Sequence, residues 1–255
     1  MVYNNSPAEG VQVATLLFDA GTRPDAPALQ ALAAIDGAFT VSHRADDSSG
    51  WAEVLREGLT FDLGGLRPAA AATLHLGRHV VGLPRGFDFA TVEAVSLMPG
   101  PHLAGAEHLL PVVRVTAGLI AGLASLPGLR AIVWHPAGVV MSPAWFVEAV
   151  GAWIAGGPFP ALALTALRRE EVGLESEGLA FLIEQEFLLV AGEDGPIERD
   201  ARIAVRLTDW LVAHGRVDSA REVVLAGIGP IWLEPDGKGL LVARWLETAP
   251  LKPGL

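Results

Sequence analysis

The chain has 255 residues, enough to bury a substantial core in one large domain or two small lobes. Hydrophobic residues make up 51% of it and charged residues only 18%, which indicates a large core or apolar surface covered by a partner, most simply a second copy. The formal net charge is −11 and no basic run occurs, so nucleic acid is disfavoured as a partner. The absence of cysteine excludes disulfides and cysteine-ligated metals and fits a cytoplasmic protein.

No apolar run in the sequence predicts a membrane span or a secretory signal. Residues 1–10 contain no Lys or Arg and no apolar core, so we expect a disordered tail over residues 1–11. A spanning helix needs about 20 apolar residues in succession. The longest uncharged run, residues 149–167, is interrupted by Gly156, Gly157, Pro158 and Pro160. We therefore expect a soluble protein without a membrane partner.

The first sixty residues predict strands around one helix. Residues 13–18 and 38–43 have strand character, and between them a helix is expected to begin after Asp25 as N-cap and to end at Gly37. Residues 51–57 predict a short helix.

The region from residue 59 to residue 110 predicts β-structure followed by a loop. Residues 59–63 alternate between apolar and polar side chains, as a half-buried strand does. Residues 73–81 predict a β-hairpin, with Gly77 and Arg78 as the two loop residues of a type II′ turn. Residues 98–110 are rich in Pro and Gly and predict a loop that leads into a helix.

The middle of the chain predicts two helices that each begin at a proline. Pro111 suits the first position of a helix that runs to about residue 126, and the Ser142-Pro143 pair supplies an N-cap and a first position for the second. Residues 130–135 and 139–141 predict strands between these helices.

The last third predicts strands around one amphipathic helix. That helix covers residues 200–214, and Trp210 lies on its apolar stripe. Trp153 lies on the apolar stripe of the helix that begins at Pro143. We expect both tryptophan rings to be buried. A charged turn is expected over residues 168–172. The expected strands are residues 161–167, 173–178, 186–191, 231–234 and 240–245.

Together these elements predict an α+β fold with a mixed, largely antiparallel sheet or sheets and helices packed on one face, because hairpins are frequent and strands alternate with helices only irregularly. We expect a single domain over residues 12–255, with two lobes that meet near residues 88–95 as the alternative.

Five sequence segments occur in this order along the chain: VSLMPGPHLAG, LPGLRAIVWHPAGVVMSPAWFVEAV, GGPFPALAL, GLESEGLAFLIEQEFLLV and ARIAVRLTDWLVAHG. Together they resemble a bacterial group of unknown function close to domain of unknown function 4261. The resemblance covers about three fifths of the chain, from residue 95 to residue 245, and it implies no activity and no catalytic residue.

Trp134 and His135 are the strongest candidates for a binding site. They end a predicted strand, where ligand sites often lie, and His titrates near neutrality. The alternative is that Trp134 fills the core and His135 caps a turn. His75 and His79 would point to opposite faces of the predicted hairpin, so they do not converge on a metal.

Glu184 and Glu186 alternate on a predicted strand, and paired carboxylates can serve as acid and base. A solvated strand face explains the same alternation. No nucleophile elbow, phosphate loop or zinc motif occurs in the sequence, so we expect no catalytic residue, no metal and no cofactor.

Composition and motifs together favour a non-enzymatic protein-interaction or binding protein that pairs with a protein partner or forms a homodimer. The alternative is a hydrolase or transferase with an unrecognised site near His135 and the central glutamates.

Overall fold

A computed structural model describes residues 11–44, 49–192 and 197–246. The described residues form 14 strands and six helices in two mixed, mostly antiparallel sheets, which confirms the predicted α+β class. Of the predicted tail over residues 1–11, all but residue 11 lies outside the described residues. No helix in the described ranges is long and apolar enough to cross a membrane.

The chain divides into two compact units, Met1–Gly157 and Pro158–Leu255. The segment 88–95, which the sequence suggests as an alternative boundary, enters a strand, Val92–Pro99, that pairs on both sides within the first unit. The division instead follows Gly156 and Gly157, just after the helix that begins at Pro143.

The first unit contains one eight-stranded sheet, with strands in the order β2-β3-β4-β6-β1-β7-β8-β5. All neighbours are antiparallel except β5 and β8, which are parallel. The strands are β1 (Ala14–Asp19), β2 (Thr40–Arg44), β3 (Trp51–Arg56), β4 (Leu59–Gly64), β5 (His79–Val81), β6 (Val92–Pro99), β7 (Leu129–Trp134) and β8 (Val139–Met141).

Three helices belong to this unit: α1 (Ala26–Asp36), α2 (Leu110–Leu123) and α3 (Pro143–Ile154). The predicted caps are confirmed, since Asp25 accepts from Ala28 N, Gly37 is left-handed, and Ser142 accepts from Trp145 N. α2 contacts α3, and α3 contacts β7. On the other face of the sheet, buried residues such as Leu17 and Val133 form an apolar cluster against Leu74 and Phe87.

The second unit contains a six-stranded sheet in the order β12-β13-β14-β11-β10-β9, with only β11 and β14 parallel. Its long helix packs a buried stripe that includes Ile203, Leu207 and Leu211 against the sheet. The strands are β9 (Ala166–Glu170), β10 (Gly173–Glu177), β11 (Glu186–Val190), β12 (Arg221–Leu225), β13 (Gly229–Pro235) and β14 (Leu240–Trp245). The helices are α4 (Ala161–Leu164), α5 (Ala180–Ile183) and α6 (Ile197–His214).

The helix predicted over residues 51–57 is wrong, because Trp51–Arg56 is strand β3. Glu57 and Gly58 both have positive φ, 50° and 83°, and Arg56 pairs with Leu59. Two residues of positive φ between paired strands are typical of a type I′ turn, which joins β3 and β4 as a hairpin.

The hairpin predicted over residues 73–81 is also wrong, because β5 pairs in parallel with β8 rather than with the residues before it. Gly77 serves a close backbone approach instead of a turn. A Cβ at Gly77 would lie 2.1 Å from the carbonyl oxygen of Gly138, the same oxygen that accepts from His79 N at 3.0 Å.

Two predictions in the second unit need correction. Residues 161–164 form α4 rather than a strand, and the expected charged turn begins as β9, in which Arg168 pairs with Glu175 across to β10. Trp153 is buried as predicted, whereas Trp210 is half-buried and stacks on His214 with 4.2 Å between ring centroids.

Candidate functional site

Trp134 is a core residue in this structure. It ends β7 with only 1% of its surface exposed. Successive side chains on a strand point to opposite faces, so Trp134 lies on the face opposite Val133 and the Leu17 cluster. A ring this deeply buried is closed to a ligand, which leaves the packing interpretation for Trp134.

His135 is half-buried and belongs to a polar network with the segment that leads into β1. Its Nε2 lies 2.7 Å from the Thr15 hydroxyl and 3.2 Å from the Gln12 amide nitrogen. The Gln12 amide also donates to the Thr15 hydroxyl at 2.6 Å. Since the Gln12 amide nitrogen can only donate, the Nε2 of His135 acts as the acceptor toward it, so this network favours the tautomer with the proton on Nδ1.

Burial lowers the pKa of His135 below its ordinary value, and the neighbouring charge of His75 lowers it further. The imidazole is therefore favoured in its neutral form. Its hydroxyl partner, Thr15, has no exposed surface, so that hydroxyl is closed to a substrate. The network holds the entry to β1 against the end of β7.

Glu184 and Glu186 are not side by side on a strand in this structure. Glu184 ends the short helix α5 in the left-handed conformation and is exposed. Glu186 begins β11 and turns back to α5, where its carboxylate accepts from Ala180 N at 2.9 Å, from Leu179 N at 3.3 Å and from the Ser176 hydroxyl. These bonds explain Glu186 as a structural cap, and both glutamates belong to a different unit from His135.

A row of side chains that the sequence analysis did not single out crosses the first unit's sheet. His43 pairs with Glu53, Glu53 with Asp62, and Asp62 with Met98, across β2, β3, β4 and β6. Directly paired residues share a face of the sheet. We call these four residues the Asp62 row.

A second row on the same face connects this region with the His135 network. Trp51 pairs with Gly64, Gly64 with Ser96, and Ser96 with Thr15. Trp51 and Glu53 are two positions apart on β3, so the two rows share one face. The apolar cluster around Leu17 occupies the same face beyond Thr15.

Asp62 has the most unusual environment in these rows. It is 9% exposed, and its Oδ1 has no hydrogen-bond partner among the described residues. The Trp51 side chain lies close enough to influence the carboxyl group. Burial raises the pKa of Asp62, and the neighbouring Glu53 raises it further, against smaller opposing effects of Trp51 and His102.

Apart from Met98, its cross-strand neighbour on β6, the side chains described around Asp62 are aromatic or polar. Glu53 accepts from the Ser42 hydroxyl at 2.6 Å, and the His43 ring meets the Trp51 ring edge-on at 6.0 Å between centroids. The Nδ1 of His102 lies 3.2 Å from the Thr60 hydroxyl. Within the described ranges, no ion pair joins Glu53 or Asp62 to a Lys or Arg.

These residues do not form a metal centre. Among the described residues, no group of three or more His, Asp or Glu side chains is arranged to hold a metal ion. The Asp62 row can instead accept hydrogen bonds and attract positive charge, and the Trp51 ring offers an aromatic face beside it.

The sequence carried one signal for the Asp62 row. Glu57-Gly58 between two alternating segments fits a two-residue hairpin turn, and such a turn would have paired Glu53 with Asp62. The predicted helix over residues 51–57 is incompatible with this pairing, so the sequence did not predict the row.

No family model, curated protein or solved structure matches this chain. The resemblance to domain of unknown function 4261 stays a prediction.

Proposed function

We propose that this protein is a non-enzymatic binding protein whose ligand contacts the face of the first unit that carries the Asp62 row. The observation that supports the proposal is Asp62 itself. A buried carboxylate oxygen without a hydrogen-bond partner costs about 1–3 kcal/mol, and more when the group is charged. Oδ1 itself has no accessible surface, so the ligand would contact the half-buried Glu53 carboxylate beside it, where a positive charge offsets the unfavourable charge pair of Glu53 and Asp62.

The hydrolase or transferase alternative has less support. A 2.7 Å contact between a hydroxyl and an imidazole nitrogen resembles the pairing of a nucleophile with its base. The Thr15 hydroxyl is fully buried, however, and Glu186 is occupied as a cap. The two functions are distinguished by the released compound: a binding protein releases its ligand chemically unchanged, whereas an enzyme releases a converted product.

The experiment is a titration of 15N-labelled full chain with the small-molecule fraction of a cell extract. The indole N–H resonance of Trp51, assigned with a Trp51→Phe variant, reports on this face, because Trp51 is half-buried and close enough to influence Asp62. A binding protein shifts this resonance in the wild type but not in Asp62→Asn, and mass spectrometry recovers the bound compound unmodified. A chemically converted compound supports the enzyme, and a fraction that leaves the Trp51 resonance in place contradicts the proposed site.

A protein partner or homodimer is a further part of this proposal, motivated by the composition. Some large apolar side chains are exposed on each unit, such as Ile35 (86%) in the first and Val224 (69%) in the second. We expect light scattering at micromolar concentration to give twice the mass of one chain. A mass of one chain that stays constant as concentration rises would remove the homodimer.

A further inference from the structure

We infer that the second unit carries a separate binding site for a small apolar monocarboxylate, in a groove along α6 beside Pro158 and Phe159. The inference goes beyond the proposed function, because every residue that lines this groove belongs to the second unit and none to the Asp62 row. The groove has a volume of about 470 Å³, within the range of about 300–1,000 Å³ that small-molecule sites occupy. Its apolar walls, its two unpaired arginines and its small lining carry the inference.

The apolar walls of the groove are the first argument. Ala201 and Val205 are half-buried and lie about one turn apart on α6, so their side chains are neighbours on one flank of the helix. Phe159, which is only 7% exposed, forms the opposite wall, and its backbone N–H donates to Asp209 Oδ1 at 3.0 Å. This hydrogen bond fixes the segment that holds Pro158 and Phe159 against α6. The groove therefore offers a preformed apolar surface between two walls that are tied together.

The two arginines in the lining are the second argument. Arg202 and Arg206 lie about one turn apart on α6, and both are exposed. Neither has an ion pair or a side-chain hydrogen bond with any residue in the described ranges, although Glu198 and Asp209 lie about one turn away. With Asp209, the lining carries two positive charges and one negative charge. Two accessible guanidinium groups beside an apolar wall suit a single carboxylate, which arginine binds in a bidentate manner.

Charge and size together select the ligand. Two guanidinium groups repel a cation, and a neutral apolar compound leaves them unused. A dicarboxylate or a phosphate brings a second negative charge that the lining does not balance, and it leaves the apolar walls uncovered. Only seven residues line the groove, against about 20–30 on each side of a specific protein interface. The occupant is therefore a free compound rather than a protein surface.

The test titrates the full chain, labelled with 13C at its valine and leucine methyl groups, with phenylacetate. The methyl resonances of Val205, assigned with a Val205→Ile variant, are the readout. We expect phenylacetate to shift them in a saturable way, and its neutral isostere phenylacetamide to bind about tenfold more weakly, because the charge-assisted contact is lost. Acetate, which lacks the ring, should also bind more weakly, and benzylammonium should leave the resonances in place.

Substitution of the exposed arginines assigns the contact. Arg202→Gln and Arg206→Gln should each weaken phenylacetate binding about fivefold to tenfold, and exposed side chains can be replaced without loss of the fold. Arg85→Gln removes an exposed arginine from the first unit, should leave the affinity unchanged, and controls for net charge. The Trp51 indole resonance should stay in place throughout, which separates this site from the Asp62 row.

The inference is overturned if phenylacetamide or acetate binds as tightly as phenylacetate, or if both arginine variants bind phenylacetate as the wild type does. Shifts that do not saturate in the millimolar range also overturn it. Tighter binding of the peptide acetyl-Ala-Ala-Phe, which ends in a free carboxylate, would reject the free compound and assign the groove to the end of a partner chain. The proposed function depends on the Trp51 resonance and on Asp62→Asn, so its failure is observed separately.

Discussion

Two carboxylates, Asp62 in the first unit and Glu186 in the second, show how differently one chemical group can be used in this chain. Glu186 accepts from two backbone N–H groups and one hydroxyl, and all its partners lie within ten residues along the chain. Asp62 is 9% exposed, and its Oδ1 has no hydrogen-bond partner among the described residues.

The difference separates a group that stabilises the fold from a group that the fold leaves incomplete. Glu186 fixes α5 to β11, and its bonds give a structural reason for its presence. Asp62 adds a desolvation cost that no described contact repays. Polar groups retained at such a cost are common at functional sites, which is why we propose the binding face at the Asp62 row and not at Glu184 and Glu186.

The largest effect is expected at Glu186. Glu186→Gln replaces one accepting oxygen with an NH2 group, so at least one of the donors from α5 and Ser176 loses its acceptor. We expect the free energy of unfolding to fall by about 1–3 kcal/mol in a urea titration.

Glu184→Gln is the matched control for that substitution. The Glu184 side chain is exposed, and a surface change of this kind stays within about 0.5 kcal/mol. If both variants have the same free energy of unfolding as the wild type, the hydrogen bonds of Glu186 do not stabilise the fold. The contrast between Asp62 and Glu186 then fails.

The sequence predicted most elements of the first unit, but not the row that we propose as the site. Local signals were sufficient for the caps at Asp25, Gly37 and Ser142, because each is set by residues within one turn of the helix. The Asp62 row depends on strand pairing, which is set by contacts distant in sequence and by one turn. Alternation also predicted Asp62 on a solvated face, whereas it is nine-tenths buried.

His135 shows the same limit at a single residue. Its place at the end of β7 was predictable, and the structure confirms the strand. Its partners Gln12 and Thr15 precede it by 123 and 120 positions, so no local pattern could indicate them. Their bonds, rather than a pocket, account for this histidine.

A smaller effect is expected from pH at His135. The folded state holds this imidazole with a lowered pKa, so on acidification the unfolded chain, with a pKa of about 6.5, takes up a proton first. The unfolded state then binds more protons, and the free energy of unfolding falls as pH drops below about 6.5. His135→Gln should reduce this fall between pH 8 and pH 5.

His214→Gln provides the comparison for that measurement, because it removes an exposed histidine from the second unit. A His135→Gln profile that overlays the wild type would mean that burial of His135 has no consequence for folding.

The smallest effect, and the one with the opposite sign, is expected at Asp62. Its pKa is raised in the folded state, chiefly by burial, so between the ordinary pKa of about 3.9 and the raised value the folded state binds more protons than the unfolded state. The free energy of unfolding therefore falls as pH rises through this window, because ionising Asp62 costs more in the folded state than in the unfolded state. Below this window Asp62 is protonated in both states and does not change the free energy of unfolding.

Asp62→Asn removes the ionisation and keeps the shape. We expect the free energy of unfolding of the variant, relative to the wild type, to increase by up to about 1 kcal/mol between pH 3.5 and pH 7, in chemical titrations at matched ionic strength. Most single substitutions destabilise, so a gain at neutral pH is a specific signature of a carboxylate that the free protein does not complete. A relative loss of stability with rising pH would show instead that Asp62 is satisfied in the free protein, as Glu186 is, and the ligand site would lose its main support.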